Sequence, residues 1–142
     1  MKKIIQSAIS VTLVLFCILS LAACGNSVAK EGAWETATYF KDTALGDGSK
    51  TVVVEVKAEE SSVTFTIKTD KKTVGDALLE HSLIAGDQSE YGLYVKKVNG
   101  IVADYDTDKT YWAFYIDGEY AMTGIDATEI EEGATYTLER TK

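Results

Sequence analysis

The first apolar stretch of the chain is continuous and has no periodicity. Residues 4–21 are almost all apolar or small, include no acidic or basic side chain, and follow Lys2 and Lys3. A basic start followed by an apolar run of this kind is the layout of an export signal. The run ends in Leu-Ala-Ala before Cys24, and a bacterial lipobox requires small residues before a cysteine. We therefore expect cleavage after residue 23 and a diacylglycerol on the Cys24 thiol.

Further along the chain the apolar positions follow a period of two. Residues 51–57 and 62–68 are β-branched and partly alternating, and the polar residues 58–61 join them. This pattern predicts a β-hairpin. Residues 36–41 could form another strand upstream, separated from the hairpin by a turn at residues 46–48.

After the hairpin the period changes to that of a helix. Apolar residues recur at helical spacing between positions 74 and 83, and Thr73 stands before them with an acid three residues later. The pattern predicts a short amphipathic helix over residues 74–82 with Thr73 as its N-cap. Gly86 is expected to help end the turn region that follows.

The rest of the chain contains only strand-like segments. The predicted strands cover residues 91–98, 101–103, 111–117, 120–123 and 134–140. Asn99 and Gly100 form the expected tight turn between the first two of them. The chain thus alternates from strands to one short helix and back to strands, so the predicted fold class is α+β with mainly antiparallel strands.

Charge and cysteine content limit the partners and the covalent structure. Loss of Lys2 and Lys3 with the signal lowers the 14 basic residues to 12, which against 22 acidic residues leaves a formal charge of −10. Nucleic acid is not expected as a partner, because phosphate binding requires a basic surface. Cys17 would leave with the signal and Cys24 would be acylated, so no disulfide is expected.

The sequence therefore divides into three parts. Residues 1–23 are the expected lipoprotein signal peptide, residues 24–33 a lipidated tether, and residues 34–142 one domain. Two acyl chains suffice for stable anchoring, so we expect the lipid on Cys24 to hold the protein at the extracytoplasmic face of the cell membrane. A permanent membrane-spanning helix over residues 4–21 is the alternative, although about 18 residues are barely enough to cross a bilayer.

Several short motifs occur in a fixed order over residues 73–138. They are Thr73-Val74-Gly75-Asp76-Ala77-Leu78-Leu79, Tyr91-Gly92-Leu93 with Val95, Val98-Asn99-Gly100-Ile101-Val102-Ala103, Lys109-Thr110-Tyr111-Trp112 with Phe114, and Gly124-Ile125-Asp126. Together they resemble the C-terminal domain of the vitamin B12 carriers transcobalamin and intrinsic factor, and bacterial lipoproteins with a DUF4430-type domain. The resemblance implies a β-grasp-like fold around one short helix. It also implies a soluble ligand, with cobalamin or another corrinoid as the candidate.

Aromatic side chains near the predicted turns are the candidate ligand-binding residues. The candidates are Tyr91, Tyr105, Trp112, Tyr115, Tyr120 and Met122. Rings of this kind stack on flat ligands, and a methionine adds a soft contact. Because side chains alternate along a strand, Trp112 and Phe114 share one face and Tyr115 lies on the other. Trp112 and Phe114 are also candidates for the hydrophobic core.

An acidic segment offers an alternative site for a metal. Asp104, Asp106 and Asp108 have the alternate spacing of the first ligands in a calcium loop. However, Lys109 replaces the glycine that such a loop requires, and Tyr115 replaces its bidentate glutamate. A solvated acidic turn is the favoured interpretation, so no metal or other cofactor is expected to be required.

Catalytic constellations are missing from the sequence. His81 is the single histidine, and a zinc site requires more nitrogen or sulfur ligands than the chain has. A cysteine–histidine catalyst would lack a free cysteine, and no nucleophile-elbow motif supports a serine triad. We therefore do not expect an enzyme.

A binding role is the leading functional hypothesis. A lipid-anchored protein of this kind would capture a small ligand, such as a corrinoid, and pass it to a membrane transporter. The alternatives are a cell-surface module for adhesion to a protein or glycan, and a metal-binding lipoprotein.

Overall fold

The computed structural model describes residues 26–142. The signal expected over residues 1–23 and the acylation site expected at Cys24 lie outside the described residues. No helix within residues 26–142 combines the length and the hydropathy that a bilayer crossing requires.

Short strands make up most of the regular structure. The strands are β1 (Thr43–Gly46), β2 (Lys50–Ala58), β3 (Ser61–Thr69), β4 (Ile84–Ser89), β5 (Gly92–Val98), β6 (Ile101–Val102), β7 (Tyr111–Ile116), β8 (Glu119–Tyr120) and β9 (Thr135–Thr141). The helices are α1 (Val74–Glu80) and the single turn α2 (Tyr105–Asp108). A first 3₁₀ turn covers Gly32–Thr36 and a second covers Ile125–Ala127.

The strands form two sheets. Six of them are hydrogen-bonded in the order β1-β3-β2-β9-β7-β8, and the second sheet has the order β4-β5-β6. The pairs β1–β3 and β2–β9 are parallel, and the other strand pairs within residues 26–142 are antiparallel. The predicted α+β class with mainly antiparallel strands is confirmed.

The hairpin of β2 and β3 supplies one wall of the hydrophobic core. Val54 pairs with Phe65 and Val56 pairs with Val63, and these four side chains are fully buried or nearly so. The alternation in sequence thus becomes an apolar face and a polar face on each strand. The predicted hairpin is confirmed.

Helix α1 begins where its sequence predicts. The Thr73 hydroxyl accepts a hydrogen bond from the Asp76 amide at 3.1 Å, which satisfies one of the free donors of the first turn. Val74, Ala77 and Leu78 are buried in the same core as the strand valines. The helix ends at Glu80, two residues earlier than predicted.

The strand predicted over residues 36–41 is not formed. The first 3₁₀ turn ends at Thr36, and the following segment forms only an isolated bridge, between Lys41 and Ser27, and hydrogen bonds to Asn99. The Asn99 side chain accepts from the Tyr39 amide and donates to the Tyr39 carbonyl, both at 2.9 Å. One asparagine therefore satisfies main-chain groups that would otherwise require a strand partner. The strand that does form, β1, begins at Thr43.

Gly86 was predicted to lie in the turn region after the helix. In the structure it lies within β4. The register between β4 and β5 shifts at Ala85 and Gly86, which marks a bulge. A Cβ atom at Gly86 would overlap the Tyr94 carbonyl oxygen, so glycine allows the two strands to approach at this point.

The described part of the expected tether lies against the domain. The Asn26 side chain donates to the Ser62 carbonyl at 2.6 Å, and the Val28 amide donates to the Phe40 carbonyl at 2.7 Å. From Asn26 onward the chain is therefore attached to the domain, and Asn26 itself is bonded at the beginning of β3.

Candidate functional site

A cleft of about 230 Å³ opens between the two sheets. Leu93 and Val95 of β5 line one side of it, and Trp112 and Phe114 of β7 line the other. One end is closed by Tyr120, Ala121, Thr123, Gly124 and Ile125. None of the residues that line the cleft carries a formal charge, so its walls suit a neutral ligand.

The register of β7 places its aromatic side chains in the cleft. Phe114 pairs with Leu138 of β9, and Trp112 pairs with Arg140 two residues along the same strand. Partners in a sheet point to the same face, so Trp112 and Phe114 share the face that carries the core residue Leu138. Phe114 also stacks on Tyr136 with a centroid distance of 6.1 Å.

The indole N–H of Trp112 has no hydrogen-bond partner within residues 26–142, although it is buried. Trp112 is 7% exposed. By contrast, the indole of Trp34 donates to the Ala58 carbonyl at 3.0 Å. A buried donor without a partner costs about 1–3 kcal/mol, and an acceptor atom of a ligand in the cleft would remove this cost.

The structure brings together two of the six predicted ligand-binding residues. Trp112 and Tyr120 line the cleft. Tyr115 lies on the opposite face of β7 and packs edge-on against Tyr120, with ring centroids 5.6 Å apart.

The other three predicted residues do not line the cleft. The Tyr105 ring lies on α2, where the Lys109 ammonium is 4.9 Å from its centroid. Tyr91 and Met122 are 89% and 94% exposed. Their prediction rested on nearness to turns, which does not determine the direction of a side chain.

The β5 side of the cleft was not predicted from the sequence. Leu93 and Val95 belong to a motif of the resemblance, but nothing in that motif shows that β5 faces β7. The approach of the two sheets depends on contacts between distant segments. The available signal was that residues 93–95 are all apolar or aromatic.

Asp126 fixes the position of β5 at the edge of the cleft. Its Oδ2 accepts a hydrogen bond from the Leu93 amide at 3.1 Å, and its Oδ1 is buried without a partner in residues 26–142. A Cβ at Gly92, where φ is +104°, would lie 2.8 Å from Asp126 Oδ1, and one at Gly75 would lie 2.7 Å from Asp126 Cα. Three motifs of the resemblance, those that contain Gly75, Gly92 and Asp126 itself, therefore meet at Asp126.

The three aspartates of the alternative metal site lie on and before α2. Asp104 caps the helix by accepting from the Asp106 amide and the Thr107 hydroxyl, both at 3.1 Å. Asp108 accepts from the Thr110 hydroxyl and amide and from the Arg140 guanidinium. The Thr110 hydroxyl, followed by its amide and by Arg140, lowers the pKa of Asp108 below its usual value. Residues 26–142 contain no group of three or more His, Cys, Asp or Glu side chains placed to share a metal ion.

Similarity to solved structures covers 66% to 68% of the chain. Among 17 matching chains is a protein from Ruminococcus gnavus ATCC 29149 to which metal binding is ascribed. It has a TM-score of 0.63 and 28% sequence identity, and the match covers 66% of this chain and 98% of that one. Haptocorrin in complex with Cbi matches with a TM-score of 0.48 and 16% identity, over 68% of this chain and 26% of haptocorrin. No curated protein matches the sequence.

A protein-family model matches the second part of the chain. The family described as Domain of unknown function (DUF4430) covers residues 71–141. This range includes α1, both sides of the cleft and Asp126, and it amounts to half of the 142 residues. The chain therefore belongs to the DUF4430 family.

Proposed function

We propose that this protein is a lipid-anchored extracytoplasmic binding protein that captures a small ligand in the cleft between β5 and β7. The observation that carries this proposal is that Trp112, which lines the cleft, has a buried indole N–H without a partner in residues 26–142. A binding site typically combines apolar walls with a few placed polar groups, and this cleft has that composition.

The shape and chemistry of the cleft restrict the ligand. Its walls are apolar or aromatic and uncharged, so the ligand is neutral where it enters and presents an acceptor atom to Trp112. At about 230 Å³ the cleft is smaller than the pockets of roughly 300–1,000 Å³ that enclose drug-sized molecules. A small ring would fit inside, whereas a corrinoid would insert one edge or one amide arm and leave its macrocycle outside.

The anchoring part of the proposal is supported by the leader and by the attachment of Asn26. A lipid on Cys24 would lie two residues from Asn26, which is bonded to β3. The cleft lies at β7, separated from β3 by β2 and β9, which corresponds to roughly 14 Å at the usual strand spacing. The ligand site would thus lie at the edge of the sheet opposite the anchor. It would be close to the membrane and still accessible, so that a ligand could be captured there and transferred to a transporter.

Thermal melting of the full chain in mild detergent tests the capture of a ligand. Cobalamin, cobinamide and calcium are the probes, and a compound that binds only the folded state raises the melting temperature. Ala121→Trp would fill the cleft, whereas Ala127→Trp adds the same bulk at an exposed position of the second 3₁₀ turn outside it. A shift that Ala121→Trp abolishes and Ala127→Trp retains supports capture in the cleft. Equal shifts in both variants would place the site elsewhere.

Membrane attachment is tested separately in the bacterial cell. The native chain is expected in the membrane fraction, with a mass that corresponds to cleavage after residue 23 plus acyl chains on Cys24. Cys24→Ala should remain uncleaved and without acyl chains. If the native chain carried no acyl mass, the proposed lipid anchor would be contradicted, whereas the proposed ligand binding in the cleft would not be affected.

A further inference from the structure

Each of the two strands that line the cleft, β5 and β7, has an edge without a neighbouring strand over part of its length. β8 pairs only with Tyr115 and Ile116 of β7, and β6 pairs only with Lys97 and Val98 of β5. Within the part of the chain that the structure describes, no strand pairs with the remaining length of either edge. Unpaired edges of this kind are templates for the addition of a further strand.

The alternation of main-chain groups shows which atoms of β7 are free. The Phe114 carbonyl accepts from the Ala121 amide at 2.9 Å, so Phe114 directs its main-chain groups away from β9. Because hydrogen bonds alternate along an antiparallel strand, Trp112 directs its amide and carbonyl to the same side. Neither group has a backbone partner among residues 26–142 outside the β7–β9 ladder. The edge of β7 thus offers a main-chain donor and a main-chain acceptor at Trp112.

The opposite wall shows the same arrangement. The Leu93 amide donates to the Asp126 carboxylate at 3.1 Å, which places the Leu93 main-chain groups on the side away from β4. Val95, two residues later on the same strand, directs its main-chain groups to that side as well. Both walls of the cleft therefore present main-chain donors or acceptors at the spacing of a β-strand.

We propose that the cleft binds an extended, uncharged peptide segment of a partner protein, which adds as a short strand to the free edge of β7. This inference rests on the ligand cleft of the proposed function and names the class of ligand. A peptide main chain supplies the acceptor and the donor that the Trp112 main chain requires, and alternate side chains contact the apolar walls. Residues 111–114 span about 13 Å, which accommodates three to four residues of the ligand.

The absence of charge around the cleft defines the side chains of the segment. All of the residues that line it are apolar, aromatic, threonine or glycine. An ionised side chain would lose hydration there without gaining a partner, so the segment carries none at the buried positions. Main-chain recognition tolerates different apolar sequences, and a simple synthetic strand is therefore a sufficient probe.

The experiment uses the full chain in mild detergent and an acetylated, amidated pentapeptide of alternating threonine and valine. At millimolar concentration the peptide is expected to raise the melting temperature saturably. The same peptide N-methylated at every residue is expected to give no shift, because it retains the side chains but loses the main-chain donors. Ala121→Trp should weaken peptide binding at least tenfold, and Ala127→Trp should bind like the native chain.

Four results would overturn the inference. The first is a corrinoid shift that Ala121→Trp abolishes together with no peptide shift, which would retain the proposed function and reject the peptide. The second is equal binding of the N-methylated peptide, which would reject strand addition. The third is a dimer without peptide, detected by light scattering and abolished by Ala121→Trp, which would assign the edge to a second copy of the chain. No shift with peptide or small ligand would reject both proposals.

Discussion

The Asp126 carboxylate holds the Leu93 amide at 3.1 Å and thereby joins the second 3₁₀ turn to β5. Gly75 of α1 and Gly92 of β5 approach the same residue so closely that neither position has room for a Cβ atom. Asp126 therefore connects the helix, the second sheet and the end of the cleft. Its role in this fold is to position the β5 wall.

Gly75→Ala should destabilise the protein, although helix propensity alone predicts the opposite. Replacing glycine by alanine within a helix usually stabilises it by about 1 kcal/mol. Here the new Cβ would lie 2.7 Å from the Cα of Asp126, and main-chain atoms cannot move aside cheaply. We expect a net loss of about 1–3 kcal/mol in the free energy of unfolding, measured by urea denaturation. Asp76→Ala, on the exposed side of α1, should change it by less than about 0.5 kcal/mol. A more stable Gly75→Ala variant would contradict the contact.

The two tryptophans should respond differently to the same substitution. Trp34→Phe removes the hydrogen bond to the Ala58 carbonyl together with part of the packing of a fully buried side chain, so we expect a loss of about 2–4 kcal/mol. Trp112→Phe loses some packing but also removes a donor that has no partner in residues 26–142, so we expect a loss of about 1 kcal/mol or less. Urea denaturation of both variants measures the difference. Equal losses would show that the Trp112 indole is already satisfied.

Local signals account for the parts of the fold that the sequence predicted. The β2–β3 alternation, the Thr73 cap and the Asn99-Gly100 turn each depend on residues close together in the chain. β1 and β4 were missed for two different reasons. β1 is short and parallel to β3, and β4 contains the glycine that would indicate a turn in most sequences.

The candidate site was predictable only on one side. Strand periodicity identified the face that Trp112 and Phe114 share. Tyr120 pairs with Tyr115 of the opposite face, so strand pairing does not predict that Tyr120 lines the cleft. No pattern within β5 or β7 shows that the two strands face each other across a cleft. The unpaired indole is likewise invisible in the sequence, because it depends on where every neighbouring acceptor lies.

Substitutions at Asn99 should separate its turn geometry from its hydrogen bonds. Asn99 adopts φ +51° and is 1% exposed, and its side chain bonds both main-chain groups of Tyr39. Asn99→Gly tolerates the left-handed backbone but loses both bonds, so we expect a loss of about 1–3 kcal/mol. Asn99→Ala should cost about 1 kcal/mol more because of its positive φ. In both variants the Tyr39 amide should exchange with deuterium faster than in the native chain. Unchanged protection would contradict the role given to Asn99.

The stability contributed by Asp108 should depend on pH in a defined direction. Hydrogen bonds from Thr110, together with the Arg140 guanidinium at 2.8 Å, lower the pKa of Asp108 in the folded state below its ordinary value of 3.8. A lowered folded-state pKa stabilises the protein above the unfolded-state pKa, and this contribution is lost as the pH falls through the folded-state value. Asp108→Asn should therefore lower the melting temperature at pH 7, and its deficit relative to the native chain should shrink below about pH 4. Asp106→Asn is the matched control, because the Asp106 carboxylate accepts no hydrogen bond from residues 26–142, and its melting temperature at pH 7 should stay close to the native value. A deficit for Asp108→Asn that is the same at pH 7 and pH 3 would show that the ionised carboxylate is not the stabilising group.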